Sequence, residues 1–179
     1  MPGAFIECKM INLKSIFKEL HSSFEYLDEI PILKLTLEMQ KWSGKPIEDT
    51  YGNKAILAYK QQPYFAELII VKILQENDIN AVWVDTFRKK FRQELPEKSK
   101  GITLPLYIQE RFDEITKVNK TRNGCWDILA WDKNHKLAFI ELKERKKDKI
   151  RSTQINWLKS CLSLKYDIDQ FSIIEWSKN

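Results

Sequence analysis

From Tyr64 to Leu74 the chain reads Tyr-Phe-Ala-Glu-Leu-Ile-Ile-Val-Lys-Ile-Leu, apolar on almost every side of a helix. Such a helix has to be buried on several sides. Pro63 suits its first turn, and the periodicity predicts a helix from Pro63 to about Asn77. A strand, Ala81-Val82-Trp83-Val84, follows at once. A second strand is expected over 125–131, a turn over 132–135 and a third strand over 136–143. Ser152 or Thr153 then caps a helix with Ile155, Leu158 and Leu162 inward, and a last strand runs over 171–176. The order is helix, three strands, helix, strand. This is an α/β chain with a central mixed β-sheet flanked by helices.

The flanking segments are less regular. Leu13, Ile16, Phe17, Leu20, Phe24 and Leu27 recur at three- and four-residue steps, predicting an amphipathic helix from Ile11 to Leu27 that breaks before Pro31. Residues 31–42 are ambiguous, with a second helix one reading, and 43–62 read as connector. Two units result: a helical N-terminal extension and connector (1–60), and a core (61–179) with a basic insertion at 88–123 that is helical around Leu106 to Ile115. The N-terminal helix is open to two uses, a homodimer interface or packing on its own core.

Composition removes several chemistries. Cys8, Cys125 and Cys161 are far apart, and the only histidines are His21 and His135, so neither a cysteine zinc site nor H-E-x-x-H is present. The five glycines form no phosphate-cradling loop. The longest aliphatic run, Leu68 to Val71, is far short of a membrane span, and no secretion-signal plan opens the chain, so the expectation is a cytoplasmic protein with no membrane partner. Thirty Lys and Arg against 25 Asp and Glu suit a phosphate-bearing partner without proving one. Catalysis, if any, falls to carboxylates and lysines.

Those residues gather on the third strand. Alternation puts Leu137, Phe139, Glu141 and Lys143 on one face, and Ala138, Ile140 and Leu142 on the other. With a turn centred on Asn134, antiparallel pairing sets Trp131 against Leu137, Leu129 against Phe139 and Asp127 against Glu141; a slip of one residue would part the two acids. Carboxylates that close repel unless one is protonated or a cation lies between them, and oxygen donors select a hard ion such as Mg²⁺ or Mn²⁺. Glu-x-Lys occurs three times, but Glu7-Cys8-Lys9 and Glu144-Arg145-Lys146 lack this strand context. A charged strand end with Asp127 in an ordinary ion pair is the competing reading.

The element order, Asp127, Glu141-Leu142-Lys143, and Gln154 with Trp157 on the following helix together resemble the PD-(D/E)xK nuclease superfamily, and within it the VRR-NUC branch. The resemblance covers roughly 61–179. Trp126 stands where proline often precedes the aspartate, and 144–148 carry no glycine-containing turn. The resemblance implies a restriction-endonuclease-like core and a Mg²⁺- or Mn²⁺-dependent nuclease. Asp127, Glu141 and the Leu142 carbonyl would be metal ligands, Lys143 the catalytic lysine, and Gln154 a phosphate or water holder. Glu67 is either an added metal-site acid or a favourable charge in the first turn of a helix. An ordinary lysine is protonated at neutral pH, so Lys143 is assigned an electrostatic role rather than that of a base.

Three basic clusters complete the pattern: Lys143, Arg145, Lys146, Lys147, Lys149 and Arg151; Arg88, Lys89, Lys90 and Arg92; Lys117, Lys120 and Arg122. Beside a hydrolytic site they suit phosphate tracking, with DNA favoured over RNA and structure read more than sequence. The tryptophans read as core, Trp126 and Trp131 on opposite sheet faces. The rival function is a catalytically inactive nuclease-fold module that binds nucleic acid without turnover.

Overall fold

The computed structural model describes residues 11–179. The first ten residues of the expected extension, with Glu7-Cys8-Lys9, lie outside the described residues. In chain order the elements are α1 (Leu13–Ile16), β1 (His21–Leu27), β2 (Ile30–Lys41), β3 (Leu57–Tyr59), β4 (Gln62–Tyr64), α2 (Ala66–Gln75), β5 (Asn80–Asp85), β6 (Lys90–Arg92), α3 (Leu106–Asn119), β7 (Ile128–Trp131), β8 (Leu137–Glu144), α4 (Ser152–Ser163), a 3₁₀ turn (Ile168–Gln170) and β9 (Phe171–Lys178).

The strands form one mixed sheet in the order β4-β3-β2-β9-β8-β7-β5-β6, with β1 paired to β2 off this path. β9 is parallel to both β2 and β8, and every other pairing is antiparallel. Alternation sorts side chains onto two faces. Ala81, Trp83, Ile128, Ala130, Ala138, Ile140 and Ile174 pack with α2, whose Leu68, Ile70 and Leu74 are wholly buried. Val82, Val84, Leu129, Phe139, Phe171 and Ile173 pack with Ile108, Phe112 and Ile115 of α3 and Trp157 and Leu158 of α4. The result is helix, sheet, helix in three layers, an α/β architecture. No helix among the described residues is long and apolar enough to cross a membrane.

The N-terminal segment departs most from expectation. Instead of a helix over 11–27 there is one short turn of helix, and His21–Leu27 pairs with β2 as a hairpin. The proposed helical extension is thus mainly strand, β2 lies inside the sheet, and the amphipathic helix offered as a dimer interface does not form. The cause is the turn. Asp28 and Glu29 take φ of +45° and +69° between the paired residues Leu27 and Ile30, the left-handed conformations of a type I′ hairpin. Lys60 and Gln61 repeat the device between β3 and β4 at +47° and +62°.

Pro63 lies in β4, an edge strand where its missing N–H costs little, so α2 starts at Ala66. The 88–123 segment is built into the fold, β6 pairing with β5 and α3 covering one face. β7 begins only at Ile128, so alternation does not reach Trp126, and Trp126 and Trp131 share the α3–α4 face rather than opposing each other. The N-cap of α4 is Arg151, not Ser152 or Thr153; its buried residues are Gln154, Trp157, Leu158 and Cys161, with Ile155 and Leu162 half-buried.

Candidate functional site

The β7–β8 hairpin has the register that alternation predicts: Trp131 opposite Leu137, Leu129 opposite Phe139, Ile128 opposite Ile140. A tight turn fixes it, with Asp132 Oδ1 accepting the N–H groups of Asn134 and Lys136 at 2.8 and 2.9 Å. One step beyond the last pair stand Asp127 and Glu141, and their side chains cross. The Asp127 N–H donates to Glu141 Oε2 at 3.1 Å, and the Leu142 N–H donates to Asp127 Oδ2 at 2.9 Å. In a strand the N–H and C=O of one residue face the same side, so the Leu142 carbonyl is turned to this edge too.

Glu141 is 1% exposed. Its Oε1 accepts from Lys143 Nζ at 2.8 Å and from Gln154 Nε2. Lys143 Nζ also donates to Gln154 Oε1 at 3.2 Å, and the same oxygen accepts the Arg151 N–H at 2.9 Å. Gln154 thus closes the start of α4 and links carboxylate to ammonium. A close backbone approach fixes this end of α4 against the entry to β7. Gly124 has φ +83°, and a Cβ there would fall onto the Thr153 carbonyl and lie 2.9 Å from Gln154 N. Trp126 Nε1 donates to the Gln154 carbonyl at 3.1 Å.

Glu67, on the first turn of α2, faces this cluster and pairs with Lys54 Nζ. Lys54 comes from the connector, held over the rings of Trp83 (5.3 Å) and Phe65 (5.9 Å). Burial pushes the Lys54 ammonium down in pKa, but Glu67, then Asp127 and Asp148, outweigh it and leave it raised. Burial, and then the charge of Glu67, raise Asp127 to about 6 against the pull of the Leu142 N–H, Lys54 and Lys143. Burial, and then Asp127, push Glu141 well above the usual carboxylate range. Three carboxylates therefore face two ammonium groups, and burial first, with the neighbouring carboxylate second, raises both Asp127 and Glu141.

Among the described residues, no three His, Cys, Asp or Glu side chains form a ready-made ligand group. The donor set still fits Mg²⁺ or Mn²⁺. It is all oxygen and carries negative charge in excess, and Mg²⁺ commonly takes one or two carboxylates and keeps its remaining waters. Asp127 Oδ1 accepts no hydrogen bond among the described residues, because the Leu142 N–H goes to Oδ2.

The basic residues divide. Lys146, Lys147 and Lys149 border a cleft of about 590 Å³ that opens beside Lys143 and is walled opposite by Tyr26 and Lys34 of the β1–β2 hairpin. Lys147 pairs with Glu144 at 2.7 Å and Arg145 with Glu175 at 3.1 Å, both at the surface. Arg151 is exposed at the α4 cap. Arg88 is held by Asp49 at 2.5 and 3.1 Å and lies over Tyr51, while Lys89 and Lys90 are exposed. Arg122 sits over Phe112, 3.6 Å from Asp113. Arg92, counted with the second basic cluster, is buried on Asp85 at 2.6 Å. Sequence reasoning missed Lys54, which nothing in a polar connector distinguishes, and Gly124, whose place just before a strand was the available signal.

Comparison of the chain with protein-family models, with curated proteins and with solved structures returns no match.

Proposed function

We propose that this protein is a divalent-metal-dependent nuclease hydrolysing phosphodiester bonds, with DNA the favoured substrate, and that its core is restriction-endonuclease-like. One observation carries the reading: Asp127 and Glu141 meet at the end of the β7–β8 hairpin, with Lys143 and Gln154 hydrogen-bonded to the same carboxylate. The order α2, β5, β7, β8, α4, β9 around that site supports it, once β6 and α3 are set aside as an insertion.

Asp127, Glu141 and the Leu142 carbonyl would hold the ion, and Glu67 would join them on release from Lys54. When bound, such an ion acts as a Lewis acid and lowers the pKa of a coordinated water. The chain supplies the rest. Lys143 presents a fixed positive charge where a phosphoryl oxygen gains negative charge in the transition state. Gln154 keeps that ammonium from swinging away, and Lys146, Lys147 and Lys149 give the flanking phosphates a cationic border.

Purified protein incubated with linear, circular, flap and four-way-junction DNA in Mn²⁺ should cleave at least one of them, and EDTA should stop it. Asp127→Ala and Glu141→Ala should remove cleavage, and Lys143→Ala should lower it by about 10²–10³-fold, as loss of one transition-state charge partner does. Unchanged cleavage by the three variants overturns the proposal. Metal-independent binding without cleavage by the wild type selects the inactive binding module instead.

A further inference from the structure

Phe87 is 86% exposed, the most exposed large apolar side chain described. It stands at the crest of the four-residue turn 86–89 between β5 and β6, with Arg88, Lys89 and Lys90 next in the chain. The turn is braced from below. Asp85 Oδ1 accepts the Arg88 N–H at 2.9 Å and the Tyr51 hydroxyl, and Asp85 Oδ2 holds Arg92 at 2.6 Å. Arg88 bridges to Asp49, its guanidinium 4.3 Å from the centre of the Tyr51 ring. Tyr51 meets Phe87 edge-on at 6.2 Å and Trp83 at 5.2 Å. Phe87 thus stands on a braced turn with most of its ring open to solvent.

Its place relative to the acids follows from register. The Val84 N–H donates to the Asp127 carbonyl at 2.8 Å, so β5 leaves the sheet at the end where Asp127 and Glu141 sit. Phe87 is two residues past the end of β5, in the turn at that same end of the sheet.

We infer that Phe87 is a stacking wedge. It covers the exposed face of a base where a DNA duplex is interrupted, at a flap or single-strand junction, while Lys89 and Lys90 hold adjoining phosphates. A continuous duplex offers no free base face there, so the wedge selects interrupted DNA. The wedge's relation to cleavage rests on the nuclease reading; its binding role does not. Stacking of one base on an aromatic side chain is lost on alanine substitution at a cost of about fivefold to a hundredfold in affinity.

The test is binding in EDTA to a flap duplex carrying 2-aminopurine at the junction, beside a continuous duplex of the same sequence. Phe87→Ala should weaken flap binding about tenfold and abolish the fluorescence quench on binding, leaving continuous-duplex affinity unchanged. Phe87→Trp should retain both. The side chain is exposed, so the variants are expected to fold, and unfolding curves check this. Equal flap binding by wild type and Phe87→Ala overturns the inference. So does absence of wild-type DNA binding, or binding confined to the RNA version of the flap. Phe87-dependent flap binding without Mn²⁺-dependent cleavage keeps the wedge and removes the nuclease. Mn²⁺-dependent cleavage together with flap binding indifferent to Phe87 does the reverse.

Discussion

Replacing Asp127 by Asn should stabilise the ion-free protein while removing its affinity for the metal. Asn keeps an oxygen to accept the Leu142 N–H, seen at 2.9 Å, and loses only the charge. In the folded chain Asp127 titrates near 6 rather than 3.8, because burial and Glu67 oppose its ionisation. A folded-state pKa raised in this way favours folding fully only below about pH 3.8, and that favour is lost as pH climbs through 6. Two units at about 1.4 kcal/mol each set a ceiling near 3 kcal/mol, and the half-buried carboxylate reduces it to about 2 kcal/mol. In a domain of this size that is a Tm gain of about 4–8 °C. Thermal unfolding in EDTA should therefore show wild type and Asp127→Asn nearly matched at about pH 4 and diverging to that gap by about pH 8. Excess Mn²⁺ should raise the wild-type Tm and leave the variant almost unmoved. A wild type more stable than the variant in EDTA at alkaline pH, or a gap that ignores pH, would refute the claim that like charge is concentrated here.

Two further substitutions probe what surrounds the acids. Lys54→Met strands Glu67, 7% exposed, without its cation and should cost about 1–3 kcal/mol in denaturant unfolding, less than a fully buried pair because Lys54 keeps partial contact with water. The double variant with Glu67→Gln should recover most of that loss, and a double variant no more stable than Lys54→Met would discard the pairing argument. Gly124→Ala places a methyl on the Thr153 carbonyl at φ +83°, and should lower stability by about 2–4 kcal/mol and Tm by about 4–16 °C. A Gly124→Ala protein that melts with the wild type would mean that this loop does not hold α4 to β7.

The hairpin that carries the acids was legible because two independent constraints agree. Strict alternation from Leu137 to Lys143 sets the faces, and Asp132, Asn134 and His135 make a turn whose length sets the register. Gln154 was placed in the cluster around Glu141 by the resemblance alone, since the helix start was expected at Ser152 or Thr153 and the cap is Arg151. The N-terminal segment was not legible, and the reason is local. Leu13, Ile16, Phe17, Leu20, Phe24 and Leu27 match a helical spacing, yet Phe24 is 57% exposed and Leu27 faces the core from a strand. What decides between helix and hairpin is Asp28-Glu29 in left-handed conformations, a turn normally announced by Asn-Gly or Asp-Gly. Lys60-Gln61 conceals a second hairpin in the same manner. Lys54 lies in the irregular part of the stretch read as connector, so no spacing rule could place it.

The fold buries acids in two different ways, and the contrast separates scaffold from site. Asp85, 1% exposed, is matched by Arg92 with 4% exposure; Tyr51 and the Arg88 N–H take its other oxygen. Every charge there is answered within the protein, as expected for a brace that holds β5, β6 and the connector together. At the end of β7 and β8 one carboxylate oxygen, Asp127 Oδ1, has no hydrogen bond among the described residues, and three acids, Glu67, Asp127 and Glu141, face two ammonium groups, Lys54 and Lys143. A buried site needed only for stability gains nothing from this imbalance, since one apolar replacement would relieve it. Buried acids whose ionisation is opposed, beside a cleft lined by Lys143, Lys146, Lys147 and Lys149 together with Glu25, Asp28, Asp148 and Glu175, mark this end of the sheet as the candidate site.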